Sequence, residues 1–272
     1  MKQIDDILSE TTKIKKILRN SPMNKLELAR GYTLLAFKYK KSGGIGFMHK
    51  HGHFYLAMKY FEKAENIFLN EDPKKGMSVH WNNFGVFLRS YGSFKKSEAL
   101  FKKCISFLQN EGEDSFFEQR NLACLYIQYN YNLDQAKQIL DNCILKYTDP
   151  EEIAFNTLWH ARYLLQKEEI DFAHFNLLAA LDQLQEKQNK INSTTRWEIL
   201  HTFSKVLKQR GQINEAANVA YQLVKESEKW VGQSFWTAQQ YKNLAEIYLE
   251  KSDPRATYLF KHADYLIKRC KA

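Results

Sequence analysis

A small residue, a bulky apolar residue four positions on and a second small residue three positions later form a triplet that recurs along this chain. It constrains the fold more than any other feature. It reads Ala57/Phe61/Ala64, Ser97/Phe101/Cys104, Ala136/Leu140/Cys143, Ala173/Leu177/Ala180 and Ala256/Phe260/Ala263, with Ala216/Ala220/Leu223 as a weaker copy. Offsets of four and three place all three members on one helix face, where the small residues admit a neighbouring backbone and the bulky one fills the space between helices. A second pattern supplies the partner helix. Gly85, Ala123, Ala161, Ser204 and Ala245 lie 11 to 13 residues upstream of their triplets, each with an apolar residue three positions on. Two antiparallel helices joined by a tight turn, repeated, predict an all-α solenoid, an architecture given to binding more than to catalysis.

The second unit, WNNFGVFLRSYGSFKKSEALFKKC, resembles the tetratricopeptide repeat (TPR) family at Trp81, Phe84, Gly85, Leu88, Gly92, Phe94, Ser97, Phe101 and Cys104. RNLACLYIQYNYNLDQAKQIL and YKNLAEIYLEKSDPRATYLFKHA are similar, and the matches together extend over residues 25–270. The resemblance implies a right-handed superhelical solenoid of about six TPR-like helix pairs. An N-terminal amphipathic helix at 1–20 precedes a repeat domain at 21–272, with units near 22–72, 78–112, 115–149, 150–190, 194–230 and 234–271. Successive triplets step by 40, 39, 37, 43 and 40 residues, against about 34 in the standard repeat. Stretched units of this kind resemble those of bacterial signal-transduction regulators and kinesin light chains. They imply a cytoplasmic regulatory or adaptor protein that works through protein–protein interaction.

A length of 272 residues suits a solenoid, which adds core one repeat at a time. Ser21-Pro22, Asp149-Pro150 and Asp253-Pro254 read as helix starts, with an oxygen to cap free amides and proline at the first helical position, whereas Asp72-Pro73 ends the first unit. No run approaches the eighteen or so apolar residues of a membrane span, and MKQIDDILSE carries acids where a signal peptide carries basic and then apolar residues, so a cytoplasmic location is expected. Cys104, Cys143 and Cys124 fall at helix-packing positions without a CxxC pair and read as buried, reduced thiols. Between Ala36 and Ala57 the first unit carries a Gly/His-rich insertion, SGGIGFMHKHGHF at 42–54. His49 and His53 there are one helical turn apart, yet no acid or cysteine completes a metal site, and GGIGFMHK lacks the phosphate-loop spacing. No HExxH, GxSxG or kinase signature occurs. The expectation is a non-enzymatic protein without metal or cofactor.

The functional candidates follow from the helix register. The chain carries 40 basic and 31 acidic residues, a net charge of +9. Laying the first helix of each pair onto the family's inner surface directs Lys40, Arg89, Arg120, Arg162, Lys205, Lys208 and Lys242 into a groove, with Glu198, Glu246 and Glu250 as the main acids. Asn83, Asn121 and Asn243 share one repeat position, two before the small residue, and form a candidate ladder. An amide offers donor and acceptor to an extended peptide backbone, and cations favour an acidic peptide or a chain terminus. The repeats resemble those of peptide-pheromone receptors that use groove asparagines, without the DNA-binding helix-turn-helix many of these carry. The primary expectation is a scaffold for a protein or extended peptide. A peptide-gated regulator is the first alternative. A helical-repeat RNA-binding protein is the second, and ranks lower because unit length varies from 37 to 43 where base-reading repeats hold theirs.

Overall fold

The computed structural model describes residues 12–17, 25–42, 51–70, 76–90, 92–185, 194–230, 232 and 235–271, of which 37–42, 51–55, 185, 230, 235 and 270–271 are described by their backbone alone. Thirteen α-helices and no β-strand occur among the described residues. They are α1 (12–17), α2 (Lys25–Ser42), α3 (His51–Asn70), α4 (Met77–Ser90), α5 (Phe94–Asn110), α6 (Phe116–Gln128), α7 (Leu133–Ile144), α8 (Pro150–Gln166), α9 (Ile170–Gln185), α10 (Thr194–Gln209), α11 (Ile213–Trp230), α12 (Phe235–Glu250) and α13 (Arg255–Lys271). From α2 onward the even-numbered helices carry the upstream small residue and the odd-numbered helices the triplet. They are called A and B helices below. The chain divides into two compact units: Met1–Glu118 with Val231–Trp236 and Leu266–Ala272, and Gln119–Trp230 with Thr237–Tyr265.

In the first unit α2 packs on α3 and α4 on α5; in the second α8 packs on α9 and α10 on α11, with α10 also against α8 and α9. The triplets form the seams. Every triplet member is buried except Phe260, which packs partly buried against the core of α10–α13. In the first unit the Ser97 hydroxyl of α5 donates to the Gly85 carbonyl of α4 at 2.7 Å. A Cβ placed on Gly85 would lie 2.8 Å from Cε1 of Phe101. Only glycine leaves room for that ring. Where the bulky residue is the smaller Leu140 or Leu177, its upstream partner is an alanine, Ala123 or Ala161.

The turns between A and B helices repeat a single geometry. Seven residues after each upstream small residue stands one with a positive φ: Gly92 (80°), Asn130 (50°), Glu168 (63°), Gly211 (76°) and Ser252 (53°). The amide after each bonds back to a carbonyl five residues earlier, as in Ser93 N–H to Leu88 at 3.0 Å and Glu169 N–H to Leu164 at 2.9 Å, which closes the helix in a Schellman-type cap. The B-to-A connections vary instead. Two helix starts are capped as expected, that of the A helix α8 and that of the B helix α13. The Asp149 carboxylate accepts from the Glu151 amide at 2.8 Å ahead of Pro150, and Asp253 from the Arg255 amide at 2.9 Å. Ser21-Pro22 and Asp72-Pro73 lie outside the described residues, as do residues 43–50 of the Gly/His-rich insertion.

In the second unit the turns after α8, α10 and α12 are also tied to the preceding repeat. Lys167 Nζ reaches Asp134 at 3.3 Å, Arg210 Nε reaches Asp171 at 3.0 Å and Lys251 Nζ reaches the Asn214 amide oxygen at 2.7 Å. The cation is always the first residue after an A helix, and its acceptor the second residue of the previous B helix. An acidic side chain suits that first turn, where unpaired amides leave partial positive charge.

Candidate functional site

The A-helix face of the second unit carries most of the candidates, and side chains one repeat apart join there. The Arg120 guanidinium of α6, 6% exposed, forms an ion pair with Glu152 of α8 and lies 4.8 Å from the ring centroids of both Tyr147 and Phe155. Arg162 of α8 sits 4.5 Å over the Trp159 ring, donates to Glu198 of α10 at 3.0 Å and reaches the Thr202 hydroxyl at 3.3 Å. Lys208 of α10 pairs with Glu250 of α12 at 2.9 Å. His201 Nδ1 lies 2.9 Å from Oε1 of the buried Gln240. The Asn243 amide nitrogen donates to the Ser204 hydroxyl at 2.8 Å.

These contacts revise the roles expected of several residues. Arg120 is a buried linker between α6 and α8, not a groove cation, because a guanidinium sandwiched between two rings and paired to a carboxylate has little face left for a ligand. Asn243 is also buried, with its donor committed to Ser204. Asn121 is half-buried, and Lys242 pairs at 3.4 Å with Asp264 on the B helix α13. In the first unit Asn83 and Arg89 are half-buried on α4. The Lys40 side chain lies outside the described residues.

Three cations and three acids remain on the α8–α10–α12 face, and they match. Arg162 is paired with Glu198 and Lys208 with Glu250, while Lys205 feels the attraction of Glu246. The surface is charge-balanced, not cationic. Lys205 is nonetheless distinctive: it is exposed, yet surrounding protein desolvates it and lowers its pKa against the pull of Glu246, with repulsion from Arg162 and Lys208 adding to the depression. Beside it, burial first and then the charge of Lys205 push His201 down to about 3, against the hydrogen bond from Gln240. The imidazole is therefore neutral.

Sequence register located Arg162, Lys205 and Lys208 but missed Glu152, Thr202, His201 and Gln240, which complete the face. A signal for them existed in complementary side chains one repeat apart, at separations of 32 to 40 residues. Among the described residues no cluster of three metal-ligating side chains occurs, and no helix is long and apolar enough to cross a membrane.

No protein-family model and no curated protein matches the sequence. Solved structures do. The chain is similar to the apo form of the quorum sensor NprR from B. thuringiensis, with TM-score 0.61 and 14% identity over 98% of this chain and 83% of that one. It is also similar to NprR in complex with its cognate peptide NprX, with TM-score 0.65 and 9% identity over 96% and 76% of the two chains. A signal transduction ATPase with a tetratricopeptide repeat sensor from Pyrococcus horikoshii gives TM-score 0.58 at 12% identity, over 96% of this chain but only 41% of that one. The fold is a TPR-type helical repeat.

Proposed function

We propose that this chain is a non-enzymatic scaffold that holds an extended peptide or protein segment against the α8–α10–α12 face. The observation that carries the proposal is the exposed Lys205 on α10, beside side chains held in place by bonds between repeats. Such a face offers a cation at Lys205 and carboxylates at Glu246 and Glu250, which suits the mixed donors and acceptors of a peptide. Balanced charge favours a peptide of low net charge anchored by one carboxylate over a strongly acidic one. The likeness to NprR, solved with its cognate peptide, supports a peptide as the occupant.

A gated form of the same activity follows from the location of the pairs. A ligand that competes for Glu198 or Glu250 loosens a link between successive repeats, so occupancy and repeat spacing are coupled.

A random heptapeptide library panned on the immobilised full chain tests the proposal, followed by titration of the enriched sequences in solution. One-to-one binding is expected, weakened at least tenfold by Lys205→Glu and unchanged by Lys13→Glu/Lys15→Glu/Lys16→Glu, with a shallow dependence on salt between about 50 and 200 mM. Failure to enrich any stoichiometric ligand, or equal weakening by the two variants, refutes it.

A further inference from the structure

The outer face of the last two B helices in the second unit has a different chemistry. On α13, Tyr258, His262 and Tyr265 are spaced by four and three residues and share one face. Their rings form a line. Tyr258 and His262 stand 6.1 Å apart between centroids with planes 9° from parallel, and His262 and Tyr265 stand 6.1 Å apart at 29°. Tyr258 is 67% exposed and Tyr265 50%. Tyr241 of α12 buttresses the line from below, edge-on to His262 at 4.6 Å, while its hydroxyl donates to Glu228 at 2.6 Å. On α11, near enough to act electrostatically on the Tyr241 hydroxyl, is Tyr221, 47% exposed, with the Lys225 ammonium 4.9 Å from its ring centroid.

The charges around these rings are arranged unequally. Of the nearby acids, Asp264 is paired with Lys242, Asp253 with Arg255 and Glu226 with Arg196, whereas Glu228 accepts from the Tyr241 hydroxyl, keeps its charge and acts on Lys225. Lys225 and Lys261 are exposed and have no carboxylate within ion-pair distance among the described residues. The α8–α10–α12 face is neutral, so the excess of basic side chains in a chain of net charge +9 lies elsewhere.

We infer that the Tyr221/Tyr258/Tyr265 face of α11 and α13 binds single-stranded nucleic acid without sequence preference. Bases stack on the exposed tyrosine rings, and Lys225 and Lys261 neutralise phosphates. Aligned flat rings with interleaved cations are the combination that holds an unpaired strand, because every base presents a π-face and every linkage a negative charge. An acidic peptide satisfies the lysines but leaves the ring planes without a flat partner. Unit-length variation does not count against this site, since it reads stacking and charge instead of matching one base to one repeat.

The test is fluorescence anisotropy of the full chain with a fluorescein-labelled fifteen-nucleotide oligo-uridine. Saturable binding is expected, with a loss of about sevenfold between about 50 and 200 mM salt for two phosphate contacts on a single strand. Tyr258→Ala/Tyr265→Ala should weaken it at least tenfold. Lys225→Gln/Lys261→Gln should weaken it and lower the slope of log affinity against log salt by about 1.4. Lys205→Glu on the A-helix face should leave it unchanged, which separates this site from the peptide surface. An abasic strand of equal length should bind at least tenfold more weakly. The changed residues are exposed, and helical circular dichroism confirms that each variant folds. Absence of oligonucleotide binding, binding indifferent to the tyrosines, or tighter binding of a poly-glutamate peptide than of the oligonucleotide overturns the inference, the last in favour of an acidic protein partner.

Discussion

Gly85→Ala is the sharpest test of the packing. In an exposed helix the change stabilises by about 1 kcal/mol, because alanine lowers the entropy of the unfolded chain. Here the added carbon would sit 2.8 Å from Cε1 and 3.0 Å from Cδ1 of Phe101, a ring with no solvent exposure. Overpacking of this kind costs about 1 to 3 kcal/mol. The balance is a loss of about 0 to 2 kcal/mol, opposite in sign to the propensity effect. Phe101→Leu alone should cost about 1 to 2 kcal/mol in lost burial. The double change recreates the Ala/Leu pairing of Ala123 with Leu140 and Ala161 with Leu177, so the clash vanishes and the alanine gain returns. The double variant should then be at least as stable as Phe101→Leu, with a coupling of about 1 to 3 kcal/mol. Urea denaturation followed at 222 nm measures all four proteins, and hydrogen exchange in α4 and α5 localises the change. A Gly85→Ala protein more stable than the parent by about 1 kcal/mol, or additive effects in the cycle, refutes the reasoning.

Three other outcomes are expected. Glu168→Gly should stabilise the chain by about 0.5 to 1 kcal/mol in thermal melts, because Glu168 is exposed and holds a φ of 63° that glycine adopts without steric cost. Arg120→Gln should destabilise by about 2 kcal/mol, below the value for a fully buried pair because Glu152 is partly exposed, and should shift the melting temperature at any salt concentration. Glu65 concerns pH: burial raises its pKa, but the hydrogen bond and charge of His80, then Lys103 and the Trp81 N–H, outweigh burial and hold it below the ordinary value. A carboxyl lowered in the folded state contributes stability that is present above its unfolded pKa of about 4.3 and is lost as pH falls through the lower folded pKa. Urea midpoints between about pH 6 and 3 should therefore fall less steeply in Glu65→Gln than in the parent.

The helix pairing was legible in the sequence because it depends on residues close together along the chain. The triplets define the buried seams, and Gly85 opposite Phe101 is written as a small residue sixteen positions before a large one. The turns were half legible. Gly92 and Gly211 are visible as turn residues, whereas nothing about Glu168 or Ser252 suggests a left-handed backbone until its position seven residues after Ala161 or Ala245 is noticed. The candidate face was least legible, since its chemistry is made between repeats whose spacing varies. Register alone cannot tell that Arg120 meets Glu152 and two rings while Lys205 stays exposed, or that Asn243 turns to Ser204. Charge counted helix by helix overstated the cationic character because the compensating acids belong to the next helix.

The ties at Lys167, Arg210 and Lys251 all point backwards along the chain, to Asp134, Asp171 and Asn214. Each is an exposed contact worth no more than about 1 kcal/mol, so its direction matters more than its strength. During synthesis on the ribosome the acceptor emerges before the cation that seeks it. A newly extruded hairpin therefore meets a completed docking point on its predecessor and need not wait for its successor. This part of the molecule can consolidate at the pace of translation, and a chain cut short after any hairpin from α9 onward keeps that hairpin's tie intact.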